Sequence, residues 1–323
     1  MKATFAAGTI FADRYEILSS VGRGGMGHVY RARHLGLAKH VALKVLAADR
    51  TGDAEVRFAR EARVLARLDH PGCVRVLDHG RAADGTAYIA LDLIPGFTLG
   101  TAIKVERFTI PRAVDIARQL LVALSHAHAL GVIHRDIKPE NIVLRDGKRP
   151  VLIDFGLASL ADEAAFTAKG MCVGSPSYLA PERLLGRPHD ARTDLYAVGV
   201  ILYEMIAGTK PFAGDTPQQT MALALERPPR PLRALRRDIS PALDHVITRA
   251  LAKDPERRFA DADEMLLALN DVEHATALAA EADEADAAAT AVFGQLELRE
   301  PSWVARAWSH LRYGGWRWSR ARG

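Results

Sequence analysis

Along this chain the spacing of apolar residues changes character once, and the change divides it into two unlike parts. From Tyr15 to about Leu93, apolar residues fall in short runs: Tyr15 to Val21, His28 to Ala32, Val41 to Leu46, Val74 to Leu77 and Ala87 to Leu91. Runs of this length and residue type predict strands, and the one helical stretch among them, Ala54 to Leu68, predicts a small sheet carrying a helix. From Ile110 onward the segments Ala113 to Leu130, Thr193 to Ile206, Pro241 to Leu251 and Glu264 to Leu269 have helical spacing. Between them, Asn141 to Leu144 and Val151 to Asp154 flank Arg145, Asp146 and Gly147, which predicts a hairpin. The expected fold is α+β and bilobal: a lead-in over 1–14, a small β-rich lobe with one helix over 15–93, and a larger, mainly helical lobe over 94–270.

A chain of 323 residues, 49% hydrophobic and 25% charged, can bury a full core without staples, which excludes a disordered, collagen-like or disulfide-built protein. Its two cysteines, Cys73 and Cys172, suit a reducing compartment. The longest apolar stretch, Leu120 to Ile133, is broken by Ser125, His126 and His128, so no transmembrane helix is expected. Phe5 to Ala12 has no small-residue cleavage site after it, so no signal peptide is expected either. These readings place the chain in the cytoplasm. The net charge of +4 arises in residues 301–323, with five Arg and no acid; the rest is near neutral, so no nucleic-acid partner is expected.

Three constellations carry chemistry. The first, Val21-Gly22-Arg23-Gly24-Gly25-Met26-Gly27-His28-Val29, lies between two strand-like runs; missing side chains there let backbone N–H groups approach phosphate oxygens. No helix opens at the third glycine, which excludes the dinucleotide-binding alternative. The second is Lys44, in the apolar run Val41 to Leu46, where a cation needs an anionic partner. Glu61, on the following helix, can supply the carboxylate of a pair that holds Lys44 against α- and β-phosphates.

The third is His134-Arg135-Asp136-Ile137-Lys138-Pro139-Glu140-Asn141, followed by Asp154-Phe155-Gly156. Asp136 can accept a hydroxyl proton, Lys138 can neutralise a migrating phosphoryl group, and Asn141 with Asp154 offers hard oxygens to Mg²⁺.

Together these residues resemble the protein kinase family over about residues 15–270, and among its members the eukaryotic-like (Hanks-type) serine/threonine kinases of bacteria. The resemblance implies ATP and Mg²⁺ as cofactors and transfer of the γ-phosphoryl group to Ser or Thr hydroxyls of protein substrates, since Lys138 is the Ser/Thr form of the loop. It further implies Leu91 as gatekeeper and Asp92, Leu93 and Ile94 as the hinge that binds adenine, with Val21, Val29 and Ala42 enclosing the base. Glu182, in Ala180-Pro181-Glu182, and Arg258 are implied to pair, and Asp194 to be the buried aspartate of a central helix. Arg135 marks kinases whose activation segment is ordered by phosphorylation, with Thr167 as the expected site, modified within a transient dimer. Ser175 stands where the family usually has Thr. The rival reading is a pseudokinase scaffold that binds nucleotide or partners without catalysis, but no residue the chemistry needs is missing.

Other features read more plainly. His126 and His128 lie two apart on a helix and cannot chelate as an i, i+4 pair would, so both are expected to be structural. Cys172 is expected to be a passive thiol. Residues 271–300 form an Ala-rich acidic linker. The tail, 301–323, holds all four Trp; Trp303, Ala307, Trp308 and Leu311 share one helical face opposite Arg306 and Arg312, a pattern suited to docking on an anionic membrane surface or a partner protein.

Overall fold

The computed structural model describes residues 5–24, 27–46, 53–155 and 176–272, with only the backbone of residues 23–24, 53–55, 57 and 60–61. Gly25 and Met26 at the glycine-loop tip, the segment 156–175 with Gly156, Thr167, Cys172 and Ser175, and the linker and tail from residue 273 lie outside the described residues.

The short apolar runs become an antiparallel sheet of β1 (Ile10–Phe11), β2 (Tyr15–Gly24), β3 (Gly27–His34), β4 (Lys39–Leu46), β5 (Val76–Arg81) and β6 (Ala87–Asp92), in spatial order β1-β2-β3-β4-β6-β5. Alternation assigns its faces. Val41, Leu43 and Val45 of β4 are buried with Tyr15, Ile17, Tyr30 and Tyr88, while Ala42 and Lys44 face the other way and stay half-buried. On that second face Leu46 and Ile89 pack against Phe58 and Ala62 of α1 (Asp53–Leu65). Packing extends upstream of Tyr15: the Phe5 ring lies 5.1 Å from Phe11 and 5.6 Å from Tyr30, so the expected lead-in contributes, from Phe5 on, to the core of this lobe.

The run expected as one strand from Val74 is divided. Val74 N–H donates to the Leu152 carbonyl at 2.9 Å and Leu152 N–H to that of Gly72 at 2.8 Å; β5 proper begins at Val76. Backbone groups of residues 72–74 are thus satisfied by the large lobe, and the two lobes are joined through this segment.

The large lobe comprises β7 (Gly96–Thr98), α2 (Leu99–Val105), α3 (Ile110–Ala129), β8 (Ile142–Arg145), β9 (Arg149–Leu152), α4 (Pro181–Leu184), α5 (Arg192–Ala207), α6 (Pro217–Glu226), α7 (Pro241–Ala250) and α8 (262–272). The hairpin β8–β9 is extended by β7. β7 can pair closely because Gly96 has φ 142° and a Cβ there would collide with the Leu144 carbonyl. Every residue of α5 from Thr193 to Ile206 is buried, so this helix is the centre of the lobe. At its crossing with α7, Gly199 is required: an added Cβ would lie 2.8 Å from that of Ala250. No helix among the described residues is long and apolar enough to cross a membrane.

Candidate active site

The site forms where the open face of the small sheet meets the loop between α3 and β8. In the small lobe, the β2–β3 register pairs Gly22 with Val29, Arg23 with His28 and Gly24 with Gly27, which makes the glycine run a true hairpin. The next registers place Val29 beside Lys44, Lys44 beside Ile89, Ala42 beside Leu91 and Val41 beside Asp92. Val29, Ala42 and Leu91 are half-buried and Val21 is 62% exposed, so apolar surface faces the cleft between the lobes. At the end of β6, Asp92 accepts an ion pair from Lys39 at 2.5 Å, and Leu93 and Ile94 follow, half-buried.

Lys44 reaches across the cleft. Its Nζ lies 2.5 Å from Asp154 Oδ1, so among the described side chains its partner is the aspartate after β9. Burial would raise the Asp154 carboxyl, but the charge and hydrogen bond of Lys44, joined by the charges of His134 and Lys138, together hold the group below its ordinary 3.8. The Glu61 backbone lies in α1 as expected, while its side chain is outside the described atoms.

Beside this pair, Asp136 Oδ2 accepts from Lys138 Nζ at 2.7 Å and from Asn141 Nδ2 at 2.9 Å. Asn141 Nδ2 also donates to the Asp136 carbonyl at 2.8 Å, and the Asn141 carbonyl accepts from Ile153 N–H at 2.9 Å. The amide nitrogen of Asn141 is therefore committed and its Oδ1 turned from Asp136. With the Asp154 carboxylate, this leaves the oxygen donors that a hard cation such as Mg²⁺ prefers. Arg135 and Asp154 both have left-handed backbones, φ 67° and 55°, a conformation costly for non-glycine residues and maintained by the surrounding bonds.

For Arg135 those bonds come from Asp194 in the first turn of α5. Its Oδ2 accepts from His134 N–H at 2.8 Å and from His128 Nε2 at 2.9 Å, and its Oδ1 from Arg135 N–H at 2.9 Å. Burial alone would raise the Asp194 carboxyl, but these donors hold it below 3.8. His128, expected to be structural, is thereby placed; His126 stacks on His70 at 5.4 Å and accepts from Asp69 N–H. The His134 ring accepts at Nδ1 from Asp136 N–H (3.3 Å), so its Nε2 carries the proton donated to the Ile153 carbonyl (3.1 Å): a neutral imidazole. Complete burial holds it below 6.5, against the pull of Asp194.

The sign of the linkage follows. With its folded value depressed, His134 contributes stability that is full above 6.5 and falls as the unfolded chain alone takes up the proton. Urea midpoints should therefore decline as pH drops through 6.5, and His134→Asn should flatten the decline. It should not abolish it, because burial holds His70 down in the same direction. A slope unchanged by the substitution would exclude this assignment.

Glu182 and Arg258 meet as predicted, through two bonds of 2.7 Å, with side chains 6% and 0% exposed. Two features beside them went unread in the sequence. Arg183, one position past Glu182, donates to the Arg135 carbonyl and so ties α4 to the loop carrying Asp136. Tyr178 OH donates to Glu204 Oε2 at 2.6 Å under Lys210, whose Nζ lies 4.8 Å from the ring centroid. Adjacency to Ala180-Pro181-Glu182 could have marked Arg183; nothing local marks the second.

Residues 15–268 match the model of the protein kinase domain. The chain is 42% identical over 269 residues to the serine/threonine-protein kinase pkn3 of Myxococcus xanthus, covering 79% of this chain and 49% of that protein. It is 38% identical to a probable serine/threonine-protein kinase of Clostridium acetobutylicum, covering 83% of this chain and 41% of that one. To PknB of Mycolicibacterium smegmatis it is 38% identical, covering 79% and 42%. The chain thus spans half or less of the length of these relatives.

Proposed function

This chain belongs to the protein kinase family, and on that premise we propose that it transfers the γ-phosphoryl group of ATP to serine and threonine hydroxyls of proteins. The observation that carries the proposal is the convergence of Lys44, Asp136, Lys138, Asn141 and Asp154, distant in sequence, into two hydrogen-bonded clusters at one cleft. In this reading Val21, Val29, Ala42 and Leu91 receive adenine, with hinge groups from Asp92 to Ile94. The backbone of Gly22 to Gly24 and of Gly27 and His28 covers the phosphates, and Lys44 neutralises them. Asn141 and Asp154 would hold Mg²⁺, which supplies positive charge to the phosphate oxygens.

The acceptor hydroxyl then attacks the γ-phosphorus, the bond to the bridging oxygen breaks, ADP leaves, and Asp136 takes the hydroxyl proton. Lys138, 2.7 Å from Asp136, stabilises charge on the group in transit. Arg135 and phosphorylation at Thr167 form the regulatory part of the proposal. A catalytically silent scaffold has no observation among the described residues in its favour, since Lys44 meets Asp154 and Asp136 meets Lys138 and Asn141.

Incubation of the purified chain with Mg²⁺ and γ-labelled ATP is the test. Label is expected on Ser and Thr of the chain and of a general acceptor protein, and Lys44→Met should lose it while remaining folded. Equal incorporation by both would reject the role of Lys44, and label confined to tyrosine would reject the acceptor class.

A further inference from the structure

Outside the catalytic cleft, the loop after α5 and the segment after α6 enclose an open groove of about 310 Å³. Its floor is closed by Tyr203 and Phe212, both almost fully buried; Leu223 and Leu235 offer open apolar surface, and the rim carries Lys210, Arg227 and Arg230. Phe212, 2% exposed, is held by Lys253, whose Nζ lies 3.7 Å from the ring centroid and donates to the Ala224 carbonyl at 2.6 Å. Tyr203 is held by donating its OH to the Arg230 carbonyl at 3.0 Å. The groove is therefore built before any ligand arrives, which lowers the ordering cost of binding.

The rim carries cations, one of which, Lys210, also acts on the nearby Glu204 carboxylate. Among the described residues no carboxylate lies within 4.0 Å of Lys210, Arg227 or Arg230. Glu204 is engaged by Tyr178, and Asp244 accepts from Leu232 N–H at 2.9 Å. Arg227 and Arg230 are exposed. Lys210 stands between the groove and the acceptor side of the site: its Nζ is 3.5 Å from Ser177 Oγ and over the ring of Tyr178, and Tyr178, Leu179 and Ala180 line the small cavity that reaches Asp136.

We propose that this groove docks an acidic peptide segment of the protein substrate, with an apolar side chain seated on Leu223 and Leu235 and carboxylates on Lys210, Arg227 and Arg230. An apolar wall with cations at separate points of the rim suits an extended chain bearing both kinds of side chain. The proposal rests on the protein kinase reading for the identity of the peptide as substrate, and continuity through Lys210 and Tyr178 sets docking and transfer on one path.

The test uses the full chain and two fluorescein-labelled serine peptides, one with a leucine followed by glutamates, the other with glutamines in their place. Fluorescence anisotropy should show about tenfold tighter binding of the acidic peptide, weakening with salt as the charges are screened. The variant R227E/R230E should lose that preference, whereas its transfer to the glutamine peptide should match the unaltered chain, since both positions are remote from the chemistry. The same ratio should appear as a lower KM for the acidic peptide. Equal binding of the two peptides by the unaltered chain, or an undiminished preference in R227E/R230E, overturns the proposal. Preferential binding without phosphoryl transfer to either peptide leaves the groove standing and refutes the activity instead.

Discussion

Asp136→Asn is expected to slow phosphoryl transfer by about 10²–10⁴-fold, the range over which a positioned general base acts, with nucleotide affinity and thermal unfolding little changed. The expectation comes from what the carboxylate does in the structure. Its Oδ2 holds Lys138 at 2.7 Å and Asn141 at 2.9 Å, and an asparagine oxygen can take the place of that acceptor. What asparagine cannot do is receive a hydroxyl proton. Asp136→Ala is a poorer probe, because it leaves Lys138 and Asn141 without their shared acceptor and confounds chemistry with loop geometry. Single-turnover transfer at saturating Mg²⁺ and ATP, measured beside nucleotide binding, separates the two. If Asp136→Asn turned over like the unaltered chain, the proton would have to go elsewhere and the base would have been misassigned.

The parts of this fold legible in the sequence are those whose signal is local and repeated. The helices α3, α5 and α7 appear within three residues of their expected ends, because each is a continuous apolar-rich stretch of ten residues or more, with polar caps Thr109 for α3 and Ser240 for α7. The β8–β9 hairpin was marked by Asp146-Gly147. Elements that owe their existence to a neighbour were not legible. β1 and β7 are two and three residues long and are defined by what they pair with, while α2 is seven residues. α6 did carry a signal, Thr216 before Pro217, with the Thr hydroxyl accepting from Gln219 N–H at 3.1 Å.

The site divides in the same way. Asp136, Lys138, Asn141 and Asp154 could be found because their spacing is set by one loop and one hairpin. The contact of Lys44 with Asp154 spans 110 positions, and that of Arg183 with the Arg135 carbonyl spans 48; both are settled by how the lobes and helices pack. The groove under Lys210 is likewise a product of packing, formed by residues from two loops and two helices.

Arg258→Met is expected to destabilise the large lobe by about 3–5 kcal/mol, a large share of the 5–15 kcal/mol that holds most domains folded. Glu182 is 5% exposed, and without Arg258 its carboxylate would stay buried with no counter-charge. The guanidinium does more than pair: its Nε donates to the Ala252 carbonyl at 2.8 Å, and its other nitrogens to the Lys253 and Arg192 carbonyls at 3.2 and 3.3 Å. Arg258→Met combined with Glu182→Gln should therefore recover part of the loss, by removing the stranded charge, and leave the part due to the lost bonds to three carbonyls. Denaturant midpoints of the two single variants and the double form the cycle that measures this. Additivity within about 0.5 kcal/mol would mean that the pair is not coupled and that the lobe is held by its apolar core alone. Strong coupling would instead make α4 the anchor from which Arg183 reaches the Arg135 carbonyl, so Arg258→Met should also lower transfer under conditions where the protein remains folded.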